Sequence, residues 1–293
     1  MHLLLPLIAA IVFALGSMVY KRAYAEGAGV AHMLVVNNVA LSLLFLPLFA
    51  LELKPIVWSH WYLPCITALA YAIGHLFHIL SLRVGDVSLA TPLLGAKVIF
   101  VALLGWIIFG FQLQTTQWIA AGLATAGVIL MGLTDFQQSG RLGRTTALAL
   151  GCSAAFAVTD ITIQKWGDDF GTFNFLPFQF VALAVISLLM LPFLGKGSLK
   201  APGPAWKWIA AAAALSAIQA ILITGTIAFW HDATGVNVVY ATRGLWSIAL
   251  VWWLGRHFQN HERATAGGKR IGWRLAGAVL IIGGVVLTSW TGK

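Results

Sequence analysis

Apolar residues fall in blocks of about 18 to 24 along this chain, each bounded by proline, glycine or charge. At about 1.5 Å of helical rise per residue, such a block crosses a hydrocarbon core of roughly 30 Å. Ten blocks are counted. The first five cover about residues 3–20, 31–51, 63–82, 88–110 and 115–133, and the second five about 145–165, 173–194, 206–229, 235–255 and 271–290. The connectors are short, so no room is left for a separate soluble domain. This pattern predicts an all-α integral membrane protein with ten transmembrane helices.

A shift of 146 positions lays the second half over the first. Lys97 lands on Arg243, Asp86 on Asp232, Leu104 on Leu250 and Trp106 on Trp252. The fifth and tenth blocks also end alike, in TTQWIAAGLATAGVILMG and GGKRIGWRLAGAVLIIGGVVLT. Because five is odd, a repeated five-helix unit enters the bilayer from the opposite side. The expectation is two inverted five-helix repeats, residues 1–138 and 139–293, forming one compact membrane domain. Inverted repeats are a transporter arrangement, since one plan can then open a central site to either side.

Composition agrees. Of 293 residues, 60% are hydrophobic and only 9% charged, far from a soluble domain. The net charge of +9 sits in short loops and not on a basic face with stacking aromatics, which argues against nucleic acid. Thirteen loop cations follow the odd-numbered spans and three lie on the other side, so the positive-inside rule places both termini outside the cytoplasm. The N-terminal run MHLLLPLIAAIVFALG has no basic leader region and is expected to be retained as the first span. The two cysteines, Cys65 and Cys152, are read as small core residues. Trp58, Trp61, Trp206, Trp208, Trp273 and Trp290 stand at span ends, where tryptophan anchors at the interface.

The layout resembles a known family. Ten spans in two halves, a proline-containing fourth span TPLLGAKVIFVALLGWIIFG, then a short polar turn and QWIAAGLATAGVILMG are similar to the EamA-type branch of the drug/metabolite transporter superfamily. An acidic residue usual after the fourth helix is absent, the turn here reading FQLQTTQ. The resemblance implies transport of amino acids, sugars, sugar phosphates, nucleotide sugars or amphipathic metabolites through a cavity lined by both halves. It also implies cytoplasmic termini for many members, against the loop charges of this chain.

Candidate chemistry lies where polar residues interrupt the spans. Lys97 and Arg243 stand at central depth, where a cation costs about 2.5 to 3.5 kcal/mol on insertion scales. The acid clearly within a span is Asp160, placed near the far end of the sixth, with Gln164 and Lys165 one turn on as local partners. Two cations facing one acid leave a charge that a substrate anion could supply; internal pairing is the alternative. Asn237, Tyr240 and Gly244 share a face of the ninth span beside Arg243, with Trp246 as either a cavity wall or a packed core residue. Tyr71, His75 and His78 form a stripe on the third span, and Asn37, Asn38 and Gln179 are further polar positions in the second and seventh. His75, His78 and Asp160 are candidates for proton coupling. No metal ligand set and no cofactor are assigned, His-x-x-His lacking further ligands at its depth.

These residues predict a secondary transporter in the cell membrane, the inner membrane in a Gram-negative cell, moving a small polar, anionic metabolite, with membrane lipid around it and proton or exchange coupling open. The alternative within transport is export of amino acids or of hydrophobic or cationic compounds. An intramembrane enzyme built on His75, His78 and Asp160 is the rival class, and it lacks an assignable nucleophile, base and orienting group. ATP hydrolysis is not expected, because no Gly-Lys-Ser/Thr phosphate loop occurs.

Overall fold

The computed structural model describes residues 3–52, 55–85, 90–91, 93–133, 142–194, 202–254 and 268–291, and no strand occurs among them. Eleven α-helices follow in order: α1 Leu4–Ala25, α2 Val30–Phe45, α3 Tyr62–Val84, α4 Lys97–Phe109, α5 Thr115–Leu133, α6 Leu142–Phe170, α7 Thr172–Met190, α8 Gly203–Trp230, α9 Ala233–Tyr240, α10 Arg243–Leu254 and α11 Gly268–Thr291. Counting α9 and α10 as one interrupted span, they fill the ten spans. Among the described residues, six helical segments are long and apolar enough to cross a membrane, and the fourth, fifth and tenth spans are shorter apolar helices. The chain is an all-helical, multi-pass membrane protein.

Two spans differ from the uninterrupted helices that hydropathy predicts. The fourth passes through a 3-10 turn, Leu94–Ala96, before α4 begins at Lys97. The ninth breaks at Ala241 and Thr242, and α10 begins at Arg243. Backbone freed in this way must be satisfied inside the protein, because lipid offers no hydrogen bonds. Each central cation is therefore the first residue of the helix that follows a break. Asn237 and Tyr240 lie before the ninth-span break and Gly244 after it, so they do not share one continuous helical face.

Span ends follow local chemistry. α4 stops where Gly110 adopts a left-handed conformation (φ 66°), with its N–H on the Trp106 carbonyl at 3.0 Å. The Asp232 carboxylate accepts from the Gly235 N–H at 2.8 Å and caps α9. Asp86, its counterpart by the 146-residue shift, lies outside the described residues.

Packing pairs the spans in a regular way. α5 lies against α11, α1 against α8, and α3 against α6. α2 touches both α7 and α8, and α3 touches α7. The α5–α11 crossing is backbone on backbone. A Cβ on Gly127 would stand 2.5 Å from the Gly277 carbonyl oxygen, and one on Gly284 would stand 2.9 Å from that of Ala120. As α5 advances from 120 to 127, α11 recedes from 284 to 277, so the two helices are antiparallel. α2 and α7 are antiparallel as well: Asn38 meets Ser187 at 2.6 Å, while Phe45 meets Phe180 with ring centroids 4.1 Å apart.

Cation-bearing ends are gathered together. Arg22, at the end of α1, and Lys207, near the start of α8, lie 5.5 and 5.4 Å from the centre of the same Trp208 ring. The Tyr24 hydroxyl ties the same end of α1 to α3 by donating to the Ile79 carbonyl at 3.1 Å. Trp58, Trp61, Trp206, Trp273 and Trp290 are exposed, as interfacial anchors would be, whereas Trp208 is covered in part by its two cations. Cys152 is buried and Cys65 half-buried, both as free thiols.

Candidate functional site

The interrupted spans meet around a cavity of about 50 Å3, room for a few waters at about 10 to 15 Å3 each. Its wall comes from both halves of the chain: Phe13 of α1, Asn37 of α2, Tyr71, His75 and His78 of α3, Leu94 and Lys97 at the fourth-span break, Asp160 of α6, Ser216 and Gln219 of α8, and Tyr240 and Arg243 at the ninth-span break.

Lys97 and Asp160 form a buried ion pair, Nζ to Oδ2 at 2.6 Å. The same oxygen accepts from the Asn237 Nδ2 at 2.6 Å, and Asn237 donates also to the Ala233 carbonyl at 2.8 Å. Asp160 is thus deep in the protein, at the level of the break, and not near a membrane surface. The local partners that its sequence neighbours suggest are not used: Gln164 instead accepts from the Ala233 N–H at 2.9 Å. Inside a low-dielectric bundle a carboxylate of this kind needs a cation and a hydrogen-bond donor at once, and Lys97 with Asn237 supplies both.

Arg243 is arranged differently. It is buried to 4% exposure, yet no carboxylate among the described residues lies within salt-bridge distance. Its Nη2 donates to the Leu94 carbonyl, which Ser153 Oγ also approaches at 3.2 Å. The first residue of α10 therefore satisfies a carbonyl of the fourth-span turn, linking the two breaks. Its guanidinium lies 4.2 Å from the Tyr240 ring centre and 5.1 Å from that of Phe13, and its Nε has no hydrogen-bond partner. Lys97 Nζ is 6.0 Å from the same Tyr240 ring. Two cations and one carboxylate line the cavity, which leaves one positive charge without a countercharge there.

Beside the cations lies a polar network on the α3 stripe. The Tyr20 hydroxyl donates to Asn37 Oδ1 at 2.8 Å and is 3.2 Å from both His75 Nε2 and Ser216 Oγ. His75 Nδ1 is 2.5 Å from Asn38 Oδ1, and Asn38 Nδ2 reaches Ser187. His78 stacks on Phe13 with centroids 5.0 Å apart, and its Nε2 has no partner. The network ties spans one, two, three, seven and eight.

Most sequence candidates converge. Lys97, Arg243, Tyr240, Tyr71, His75, His78, Asn37 and Asp160 line the cavity, and Asn237 reaches it through Asp160. Two do not. Trp246 packs against the apolar core and lines a separate apolar pocket between α1, α10 and α11, because the ninth-span break turns it away. Gln179 is fully buried in α7 outside the cavity wall, with neither amide atom bonded. Phe13, Tyr20, Ser153, Phe156, Ser216 and Gln219 escaped the sequence reading. Ser153, Phe156 and Asp160 recur at three- and four-residue spacing, as Ser216 and Gln219 do at three, so a stripe signal was present. No group of three metal-ligating side chains occurs among the described residues.

Comparison with known proteins fits this architecture. A solved structure titled "Crystal structure of protein" superposes with a TM-score of 0.62, at 16% identity, over 96% of this chain and 97% of that one, a likeness of fold. No curated protein matches the chain in sequence. Residues 1–133, the first five spans, match the EamA-like transporter family. Over its first five spans the chain is therefore similar to the EamA-like transporter family, and its helical bundle surrounds a central polar cavity.

Proposed function

We propose that the protein is a secondary transporter that moves a small polar, anionic metabolite by alternating access through the central cavity. The observation that carries the anion is Arg243: buried, facing the cavity, without a carboxylate among the described residues and with Nε unbonded. An arginine keeps its charge under any environment a protein provides, and it grips a carboxylate or phosphate with two hydrogen bonds. Alternating access follows from reading residues 1–138 and 139–293 as inverted repeats. In support, the helices equivalent under that reading, α2 with α7 and α5 with α11, run antiparallel, and both interrupted spans break at the residue before their cation. Asp160 is bonded to Lys97 and Asn237, and His75 to Asn38 and the Tyr20 hydroxyl, so no nucleophile, base and orienting group can be assigned together, which favours carriage over catalysis.

The test is ligand-induced stabilisation of purified protein, since a ligand that binds only the folded state raises its melting temperature. Carboxylates or phosphate esters should shift the wild type. Arg243→Gln should weaken binding of the best of them by roughly 2 to 5 kcal/mol, and Arg243→Lys should restore only part, having charge without the planar fork. Stabilisation by organic cations with no response to any anion would move the reading to export of hydrophobic or cationic compounds.

A further inference from the structure

We infer that the Lys97–Asp160 pair sets the charge that the site accepts: by cancelling one of the two cavity cations, it makes the transporter selective for monoanions over dianions. This rests on the anion reading above and deepens it.

The inference follows from the charges that face the cavity from each helix packed on it. Lys97 and Arg243 are positive, and Asp160 is negative. Near pH 8, unperturbed histidine and tyrosine are neutral, so His75, His78, Tyr71, Tyr240 and Tyr20 add no charge. Asp160 gives one oxygen to both Lys97 Nζ and Asn237 Nδ2, each at 2.6 Å, so the lysine is already answered when the site is empty. Arg243 is not answered. A ligand with one negative charge completes the neutrality of the cavity. A ligand with two must either leave a charge buried in excess or pull Lys97 from Asp160, stranding a carboxylate whose remaining partner is a neutral amide. Either route penalises the dianion.

The surroundings add a second preference. Phe13 and Tyr240 lie along the guanidinium at 5.1 and 4.2 Å, and Phe156 lies 5.7 Å from Lys97 Nζ. A carboxylate that approaches Arg243 brings its organic body against these rings. A monocarboxylate with a planar apolar body fits that wall better than an inorganic anion, which has nothing to stack.

Four proteins separate the charge logic from general damage: wild type, Asp160→Asn, Lys97→Gln and the double variant Lys97→Gln/Asp160→Asn. Their cavities hold one, two, zero and one net positive charges in that order, by counting residues 97, 160 and 243. Binding is measured at pH 8 by calorimetry on folded, monodisperse protein, with benzoate against phthalate and acetate against succinate as monoanion and dianion pairs. Wild type should prefer the monoanion of each pair by at least about tenfold. Asp160→Asn should reverse that order, Lys97→Gln should bind both forms at least about tenfold more weakly, and the double variant should return to the wild-type order.

The reversal expected of Asp160→Asn is decisive, because a merely structural role for the pair gives no reason for the preference to move to the dianion. If Asp160→Asn fails to fold, Asp160→Ser has the same charge count and the same expected order. Anion binding whose preference ignores this ladder overturns the charge-setting role and leaves the anion reading intact. No response of wild type to any of the four anions overturns the anion reading, and this inference with it.

Discussion

Removing Lys97 without removing Asp160 should be the most damaging conservative change in the chain. Lys97→Met keeps much of the side-chain volume and leaves the Asp160 carboxylate, 2% exposed, with Asn237 as its remaining bonded partner. Orphaning one member of a buried ion pair costs about 3 to 5 kcal/mol. Unfolding entropy is about 2.1 cal/mol/K per residue, so a chain of 293 residues has a slope of about 0.6 kcal/mol per degree, and the loss translates into a fall in melting temperature of about 5 to 8 °C. The variant Lys97→Met/Asp160→Leu removes both charges and should recover most of that loss, since apolar replacement of a buried pair is often neutral or stabilising. Melting in detergent, followed by tryptophan fluorescence, measures both. An unchanged melting temperature for Lys97→Met, or a double variant no better than the single one, would refute the view that this pair is a mutually dependent unit.

Three other outcomes follow from the geometry. Gly277→Leu should destabilise by about 1 to 3 kcal/mol, since its Cβ would stand 2.5 Å from the Gly127 carbonyl oxygen and α5 and α11 must separate; a thermal melt reports it. A cysteine at Gln112, exposed in the turn after α4, should react with an impermeant thiol reagent in intact cells if loop charge sets orientation, and protection there would invert the topology; the counterpart positions Gly140 and Gly267 lie outside the described residues. If His75 or His78 carries a proton during transport, replacing both with Gln should abolish the response of flux to an imposed pH gradient while anion binding survives, and a variant still driven by the gradient would return the role to Asp160 or to exchange.

The spans were legible because insertion in lipid is governed by block hydrophobicity, and that is a property of each segment alone. Lys97 and Arg243 were legible for the same reason, as charges that a bilayer does not tolerate without a partner. Asp160 was placed too near the surface because Lys165, Asp168 and Asp169 end the apolar block, whereas α6 continues helical to Phe170 and carries residue 160 inward. The break at Ala241 and Thr242 has no proline and reads as continuous apolar sequence, so the sequence leaves Trp246 open between a cavity wall and core packing, and the structure packs it. Tyr20 illustrates a different limit. Its position near the end of the first block suggests a boundary, and its role appears only when Asn37, His75 and Ser216 arrive from three other helices.

The breaks and the cations bear on one another electrostatically. A charge buried in a low-dielectric bundle must be met by a countercharge or by hydrogen-bond partners. Lys97 and Arg243 are both buried, at the first residues of α4 and α10. For Lys97 the penalty is offset by the Asp160 carboxylate at 2.6 Å. For Arg243 it is met by weaker means, a backbone carbonyl at the other break and the faces of Phe13 and Tyr240. Arg243 therefore presents a full charge toward the cavity, with one guanidinium nitrogen unbonded. In the proposed function an arriving anion would be drawn to it. Because the Arg243–Leu94 bond crosses from one interrupted span to the other, an anion that draws the guanidinium away loosens the contact between the breaks. Under the proposed function, substrate binding and the relative position of the two halves would be coupled through this side chain, the coupling that a carrier requires.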